Sequence, residues 1–318
     1  MARTDELRLI VRVARMYYEW GMRQSEIAAQ LGLSQSSVSR LLSRSKEEGL
    51  IRIEVAAVPG VYAELEEALI KKFSLRDAIV VDTLEDSAER SLHRDLGSAA
   101  AYYLESAVRQ NEIIGISSWS SALLGMVDGL HAVPRRSGVK VVQILGGVGN
   151  PTAEVHAHRL TSRFADLVGG DPVFLPAPGI VGSEAALQVL LNDEYVHGAV
   201  ALFDQVTTAL VCIGAVEPSS LLAESGNVFS QAELDQLRQA GAVGDILLRF
   251  FDADGRLVDS GLDKRVISMG LEQLRTVDRA IGIAGGRRKY CAILGALRGR
   301  WINILVTDQG TAERLVKA

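Results

Sequence analysis

The sequence predicts an α/β protein with a small helical domain at its N-terminus and a larger domain built on a mostly parallel sheet. Its 318 residues are enough for about two domains. Thirty glycines against seven prolines, with 5% aromatic residues, favour an α/β fold with many tight turns over a β-sandwich. From residue 77 onward, apolar segments of strand length alternate with helical segments, which is the pattern of a doubly wound sheet.

Composition and charge narrow the functional classes. A hydrophobic content of 48% excludes a disordered chain, and two cysteines exclude a disulfide scaffold. Residues 1–60 contain nine Lys or Arg and seven Asp or Glu, a net charge of +2, whereas the rest contains 25 basic and 32 acidic residues, a net charge of −7. The overall charge of −5 argues against a protein covered with nucleic acid, and the basic excess at the N-terminus is a first indication of function.

The sequence also bears on compartment and on metal chemistry. The first residues are charged and lack the apolar stretch of a signal peptide, and the most apolar windows are interrupted by polar residues. Cys212 and Cys291 lie in apolar surroundings without His or Cys partners at metal-ligand spacing. We expect a cytoplasmic protein with no membrane contact, no metal and no cofactor, in which both thiols are buried.

The first 56 residues show the spacing of a helix-turn-helix DNA-binding domain. Residues 5–20 predict a first helix whose apolar stripe consists of Leu7, Ile10, Val11, Ala14 and Tyr17/Tyr18. A short second helix follows, and Ser34 is a favourable N-cap for a third helix over residues 35–47. Seven positions match the spacing of a helix-turn-helix unit at once: Ile27, Ala28, Leu31, Gly32, Leu33, Val38 and Leu41.

The polar side of the third helix predicts contact with DNA. In such a unit this helix enters the major groove, where Gln pairs with adenine, Arg with guanine, and Ser with bases or phosphates. The window 23–46 has four basic residues and one acidic residue, and residues 50–55 alternate like the strand of a wing. The alternative, a three-helix bundle without DNA contact, does not account for this polar face. The expected DNA contacts are Gln24, Ser25, Gln35, Ser36, Ser37, Ser39, Arg40 and Arg44.

Residues 57–76 predict a connector helix, since Leu65, Leu69 and Phe73 follow one another at intervals of four. This helix either forms a dimer contact or packs on its own larger domain, and the pattern leaves both open. Helix-turn-helix proteins usually bind paired half-sites, so we expect a homo-oligomer, either a dimer or a tetramer.

Residues 77–318 predict the doubly wound domain. Its expected strands cover residues 78–82, 113–117, 139–145, 209–216, 245–251, 279–285 and 302–308. Ligands of such sheets bind beyond the carboxyl ends of the strands, so the loops that follow the strands are candidate binding segments. The segment 251–259 is expected to form a hairpin with an Asp-Gly turn.

Two of these loops predict an anion or sugar site. The serine-rich segment 115–121 contains Ser117, Ser118, Ser120 and Ser121, which either form a phosphate cradle at a helix N-terminus or simply cap the helix. In the segment 146–151, glycines can let a ligand approach the backbone, and the expected contacts are Gly146, Gly147 and Asn150. Neither segment matches a nucleotide-binding motif.

Charged residues near other strand ends complete the predicted effector site. Lys289 follows two glycines and gives a cation for an anionic ligand. Asp204, Asp245 and Asp308 can accept hydrogen bonds from sugar hydroxyls or cap helices. His156 and His158 lie two residues apart and share no helix face, and no catalytic triad or nucleophile motif is present.

The two parts together resemble the SorC family of sugar-binding bacterial transcriptional regulators over essentially the whole chain. The resemblance is carried by EIAAQLGLSQSSVSRLL, GISSWSS, VVQILGGVGNP, FLPAPG, GAVEPSSLL, GAVGDI, FFDADGRLVD and AGGRRK. It implies a larger domain folded like sugar-phosphate isomerases and glucosamine-phosphate deaminases that senses a phosphorylated sugar through residues 115–121, 146–150 and Lys289. It also implies control of a carbohydrate operon, and frequent tetramers.

The chain departs from the family pattern in two loops. The phosphate loop commonly follows Gly-Ile-Ser-Trp-Gly-x-Thr, whereas here Ser118, Trp119 and Ser121 stand at the last Trp, Gly and Thr positions. The segment 143–147 contains no lysine, so no Schiff base is expected from it.

We therefore expect a DNA-binding transcriptional regulator, not an enzyme, whose operator affinity depends on a small sugar or sugar phosphate. Two alternatives remain. One is a sugar-phosphate isomerase or deaminase with a DNA-binding head, and the other is an architectural DNA-binding protein with a vestigial larger domain.

Overall fold

The computed structural model describes residues 2–51, 58–82, 89–117, 119–134, 136–147, 151–219, 223 and 229–318. The chain forms two compact units, Met1–Pro59 and Gly60–Ala318. Within these residues no helix is long and apolar enough to cross a membrane.

The first unit is a three-helix domain. Its helices are α1 (Ala2–Tyr18), α2 (Gln24–Leu31) and α3 (Gln35–Glu47). Gly32 has a φ of 66° and ends α2, and the Ser34 hydroxyl accepts the N–H of Ser37 at 3.2 Å, so the turn between α2 and α3 is confirmed. The core is formed by Val13, Met16, Ile27, Ala28, Val38 and Leu42. The expected wing strand lies mostly outside the described residues, since 52–57 are not described.

The buried side of α1 agrees with the predicted stripe in part, since Ile10 and Ala14 are buried. Val11 and Tyr18 are 40% and 38% exposed, whereas Val13 and Met16 are fully buried. The buried face combines Ile10 and Ala14 with Val13 and Met16, because packing against α2 and α3 covers a face rotated slightly from the predicted stripe. The expectation for Val11 and Tyr18 was therefore wrong.

The second unit contains the strands β1 (Asp77–Val81), β2 (Ile113–Ile116), β3 (Lys140–Gln143), β4 (Asp171–Val173), β5 (Thr208–Cys212), β6 (Gly214–Ala215), β7 (Ala242–Ile246), β8 (Arg249–Asp252), β9 (Arg279–Ile283) and β10 (Ile304–Asp308). Its helices are α4 (Ala63–Phe73), α5 (Glu89–Ala107), α6 (Ser121–Gly129), α7 (Pro151–Val168), α8 (Glu184–Leu191), α9 (Glu194–Val200), α10 (Gln231–Gln239), α11 (Leu271–Thr276), α12 (Tyr290–Arg298) and α13 (Gln309–Lys317).

Seven strands form one parallel sheet in the order β1-β10-β9-β5-β2-β3-β4. Helices cover both faces because successive strand residues alternate between two cores. Leu210 and Ile281 pack with α5, α6 and α7. Ala209 and Leu305 pack in the other core, with α4, α12 and α13. The doubly wound parallel architecture is confirmed.

The strand order reverses between β2 and β5. From β2 the chain moves outward through β3 to β4, and it then returns to β5 and continues the other way through β9 and β10. The loops after β2 and β5 therefore leave the sheet in opposite directions and open a crevice at its carboxyl edge.

The segment 245–251 does not form a strand of the main sheet, which corrects the sequence-based expectation. It holds the turn of a hairpin, β7-β8, in a separate antiparallel sheet of order β6-β7-β8. Leu247 and Leu248 form the turn with φ of 57° and 63°, a left-handed conformation that favours Gly or Asn. The following Asp-Gly hairpin is confirmed, because Gly255 has a φ of 79° and Asp252 N–H donates to the carbonyl of Arg256.

The connector helix α4 packs on its own unit. Leu69 is fully buried, and a Glu66 carboxylate oxygen accepts the N–H of Val80 at 2.9 Å. Lys72 Nζ donates to the carbonyl of Val316 at 3.1 Å. These contacts match the second of the two alternatives for this helix.

A buried ion pair lies at the amino edge of the main sheet. Arg279, at the start of β9, pairs with Glu112, just before β2, and both side chains are less than 5% exposed. The guanidinium also donates to the carbonyl of Ala107 at 2.7 Å, and Glu112 accepts the N–H of Arg109 at 2.7 Å. Each charge is therefore both paired and hydrogen-bonded.

Candidate DNA face and effector pocket

Helix α3 presents its polar residues to solvent. Gln35, Ser36, Ser39 and Arg40 are all exposed, as the helix-turn-helix interpretation requires. Ser37 is half-buried, and its hydroxyl lies 2.8 Å from the Ser34 hydroxyl. We call the exposed set Gln35, Ser36, Ser39 and Arg40 the DNA face. Its role remains a prediction.

Three further predicted DNA contacts lie in other settings. Arg44 is half-buried and pairs with Glu6 of α1 and, at 2.8 Å, with Glu48, and these carboxylates raise the pKa of Arg44. Its guanidinium thus links α1 to α3 and must exchange protein partners to reach a phosphate. At the start of α2, Ser25 is exposed and Gln24 is half-buried.

A pocket occupies the crevice at the reversal point of the main sheet. The empty space in it is about 680 Å³, which includes open solvent at the mouth. Loops that follow four different strands contribute to it. They supply Ser117, Trp119, Ser120 and Ser121 after β2, Leu145 after β3, Ile213 after β5, and Arg288 and Lys289 after β9. We call it the switch-point pocket.

The serine segment both caps a helix and lines the pocket. Ser120 is the N-cap of α6, and its hydroxyl accepts the N–H of Ala122 at 3.2 Å. Ser117 is buried, and its backbone N–H donates to the carbonyl of Leu210 at 3.1 Å. Ser121 is half-buried at the first helical position. Ser118 lies outside the described residues. The capping alternative and the cradle alternative are therefore compatible.

The glycines after β3 contact a neighbouring segment of backbone. A Cβ on Gly146 would lie 2.6 Å from the carbonyl oxygen of Pro178, so this glycine is required by a neighbouring chain segment. Gly147 accepts the N–H of Gly179, and neither glycine lines the switch-point pocket. That these glycines allow a ligand to approach remains a prediction. Asn150 lies outside the described residues.

Lys289 and Asp245 place opposite charges in the same pocket. Asp245 lies on β7, and its carboxylate accepts the N–H of Leu248 at 3.0 Å. Burial raises the pKa of Asp245 to about 6, although the nearby Lys289 acts in the opposite direction. The pocket is also lined by Arg288, Glu89 and Glu217, so it offers cations for an anionic group and carboxylates for hydroxyls.

Two other aspartates lie away from the pocket. Asp204 precedes β5 at the amino edge of the sheet and accepts a hydrogen bond from Gln273 at 2.7 Å. This corrects its assignment as an effector contact, because the pocket is at the opposite edge. Asp308 caps α13 through the N–H of Thr311 at 3.0 Å and also accepts the N–H of Gly286. The helix-cap alternative therefore accounts for Asp308.

The sequence interpretation missed His93 and underrated Cys212. His93 lies on α5 and lines the pocket, and its pKa is lowered by burial and then by Lys289. The position of His93 in the sequence could have revealed it. It lies near the start of α5, the helix that follows β1, and ligands of parallel sheets bind beyond the carboxyl ends of the strands. Cys212 ends β5 and lines the pocket, whereas Cys291 is exposed, which corrects the expectation of two buried thiols.

Comparison with known proteins identifies the family. The sugar-binding domain family matches residues 60–317, and a homeodomain-like domain family matches residues 4–52. The sorbitol operon regulator of Klebsiella pneumoniae is 32% identical over 100% of both chains. The deoxyribonucleoside regulator of Bacillus subtilis is 32% identical over 98% of both chains.

A solved structure supports the same family assignment. The crystal structure of the full-length sorbitol operon regulator SorC from Klebsiella pneumoniae superimposes with a TM-score of 0.73 at 32% identity, covering 98% of this chain and 99% of that one. In this chain the homeodomain-like domain precedes the sugar-binding domain. The chain belongs to the SorC family of sugar-binding transcriptional regulators.

Proposed function

We propose that this regulator binds operator DNA of a carbohydrate operon through the DNA face, and that a small sugar or sugar phosphate in the switch-point pocket changes its operator affinity. One observation carries the proposal. Serines from the loop after β2 and Lys289 from the loop after β9 meet Asp245 in a single pocket at the reversal point of the sheet.

The pocket chemistry favours a ligand with both an anion and hydroxyls. Lys289 supplies positive charge, and Ser117 and Ser120 supply hydroxyls beside the N-terminus of α6, where the helix dipole also favours an anion. Asp245 can accept hydrogen bonds from sugar hydroxyls. A phosphorylated sugar combines these features.

The DNA face supports major-groove contact because its side chains are exposed and carry complementary hydrogen-bonding groups. Arg40 suits guanine and Gln35 suits adenine. Ser36 and Ser39 suit phosphates. We further propose that the active form is a homo-oligomer in the cytoplasm, since paired helix-turn-helix units read paired half-sites.

A catalytic role is the second candidate, because Asp245 and His93 line one pocket. The pKa of Asp245 is raised and the pKa of His93 is lowered, which is common at catalytic sites. We propose binding without turnover, which agrees with the names of the relatives. Incubation with a panel of sugar phosphates, followed by product analysis, tests this. Isomerisation or deamination that is lost in the Asp245→Asn variant would overturn it.

The main test is a thermal-shift screen with pairs of sugars and their phosphates, followed by operator binding with and without each hit. We expect a phosphorylated sugar to raise the melting temperature and to change operator affinity. Stabilisation with no change in operator affinity at any ligand concentration would contradict the regulatory proposal.

A further inference from the structure

A concavity lined by arginines lies on the second unit, apart from the switch-point pocket. It is formed by the Asp-Gly turn after β8, by α11 and by the end of α12, and its empty space is about 920 Å³, which includes open solvent. Its described lining holds four arginines and two carboxylates, a net charge of +2, whereas residues 61–318 have 25 basic and 32 acidic residues, a net charge of −7. We call it the arginine concavity, and its arginines are Arg256, Arg275, Arg298 and Arg300.

The arginine concavity is held in shape by its own contacts. The Trp301 indole N–H donates to the carbonyl of Gly255 at 2.9 Å, and the Arg275 guanidinium stacks over the Trp301 ring, 4.1 Å from its centre. Arg298 donates to the carbonyl of Ala253 at 3.0 Å. A surface that is already formed loses little conformational freedom when a partner binds.

Arg300 is the member of this surface that offers an uncompensated charge. Arg256 is paired with Asp254, and Arg275 with Glu272. Arg300 is exposed, and among the described residues it has no hydrogen bond or salt bridge. Its φ of 55° is a left-handed conformation, which is strained for a residue other than glycine. The charge at this position is therefore available to a partner outside the chain.

A surface of the opposite character lies on α8 and α9. Val189 is 71% exposed and Tyr195 is 76% exposed. Glu194, beside Tyr195, is exposed and has no salt-bridge partner within the described part of the chain. Residues 184–200 contain three carboxylates and no Lys or Arg. We call Val189, Glu194 and Tyr195 the α8–α9 surface, which combines negative charge with exposed apolar side chains.

The two surfaces belong to neighbouring elements of the second unit. The short turn after α9 contains Asp204, whose carboxylate accepts a hydrogen bond from Gln273 of α11 at 2.7 Å. Glu272 and Arg275 of the same helix line the arginine concavity. A twofold axis can therefore set the arginine concavity of each copy against the α8–α9 surface of the other, which gives a closed pair.

We infer that the arginine concavity is a contact surface for a second copy of this chain, and that it receives the α8–α9 surface of that copy with Glu194 against Arg300. The charges of the two surfaces are opposite. Each surface also exposes apolar side chains, Leu257 at 43% in the concavity and Tyr195 on the other side. The inference deepens the proposed homo-oligomer and rests on it.

Operator DNA is the other polyanion that four arginines can attract. Two observations favour a protein partner. Asp254 and Glu272 line the concavity and would repel phosphates, and Leu257 gives it an exposed apolar edge, which a phosphate backbone does not match.

Charge reversal in the full chain tests the pairing, with association measured by sedimentation velocity over a range of protein concentrations. We expect Arg300→Glu and Glu194→Arg each to weaken association about 10-fold or more, because like charges then face one another, and the double variant to recover most of it. Tyr195→Ala should weaken association by a similar factor. Association that none of these variants changes, a double variant no better than the single ones, or an unmutated chain that stays monomeric would each overturn the inference.

Two further variants control for structural loss. Arg94→Glu reverses an exposed charge on α5, outside both surfaces, and should leave association unchanged. Arg300→Gly suits the left-handed backbone, so it should keep or raise the melting temperature while it weakens association about 3-fold or more. Full association of the Arg300→Gly variant would contradict a contact at this position.

Operator binding is measured separately on the same variants. An Arg300→Glu variant that lost operator affinity but kept its association would assign the arginine concavity to DNA and overturn the inference. If the charge-reversal pair behaved as expected but the unmutated chain bound no operator, the proposed function would fail and the contact between copies would be supported.

Discussion

The DNA face and the switch-point pocket carry their polar groups in opposite environments. Gln35, Ser36 and Arg40 are exposed on one helix, within six residues of one another. The pocket combines Ser120 with Lys289, which are far apart in sequence and meet only because parallel strands end at one edge. Contacts made by the exposed DNA face are screened by salt and tolerate substitution of neighbouring residues. Contacts made in the pocket depend on burial and on the packing of the whole second unit.

The largest expected effect tests how strongly the second unit depends on its buried charges. Arg279→Ala leaves Glu112 charged and unpaired in the interior, which should lower the free energy of unfolding by about 3–5 kcal/mol. Urea denaturation measures this. The matched control is Arg8→Ala, which removes an exposed pair with Asp5 in the first unit and should cost less than about 1 kcal/mol. If both variants lost a similar free energy of unfolding, the buried pair would contribute no more to stability than the exposed pair.

The next prediction tests whether Lys289 contacts the phosphate of the effector. Lys289→Ala should weaken a phosphorylated probe about 10- to 100-fold, because a charge-assisted contact is lost, and should change the affinity of the unphosphorylated parent little. Isothermal titration measures both affinities. Lys264→Ala, which removes an exposed lysine paired with Glu184, is the control. Equal losses for the two ligands would show that Lys289 does not meet the phosphate.

A smaller effect separates the DNA face from the pocket. Arg40→Ala should weaken operator binding by about 1–2 kcal/mol, the range of one direct base contact, and leave effector affinity unchanged. A mobility-shift titration at fixed salt measures the first quantity, and Arg8→Ala again serves as the control. Operator affinity that is unaffected by Arg40→Ala would place this side chain outside the DNA contact.

The last prediction concerns the pH dependence of stability that Asp245 causes. Its pKa in the folded protein, about 6, lies above the ordinary value of 3.8, so the folded state keeps a proton that the unfolded state has released. The resulting destabilisation appears as pH rises through about 4 to 6 and is complete above that. Because one pKa unit corresponds to about 1.4 kcal/mol, Asp245→Asn should therefore stabilise the protein by about 3 kcal/mol at pH 7 and by nothing below pH 4. A constant difference across this range would contradict the raised pKa.

Local patterns predicted the first unit well because its signals are close in sequence. The cap at Ser34, the left-handed Gly32 and the three helices follow from short-range spacing. The parallel sheet followed from alternation, and the rule on strand ends led to Ser120, Lys289 and Asp245, which the structure brings to one pocket.

The failures concern long-range packing. The close approach of Pro178 requires Gly146, and no local pattern shows that neighbour. The edge strand β4 has three residues, including Pro172, so it gives little signal. The run 245–251 lacks any Gly or Asn at its turn, so a single strand was the natural prediction.

The turn at Leu247 and Leu248 has a consequence for mutational tolerance. Both leucines hold a left-handed backbone that costs about 1–2 kcal/mol per residue, and both line the pocket. Asn and Gly would suit the hairpin better, but they would remove the apolar wall beside Asp245. Both leucines are also buried in the core of the second unit, so the apolar burial they provide offsets the strain of this turn, and Asn or Gly would relieve the strain while losing that burial.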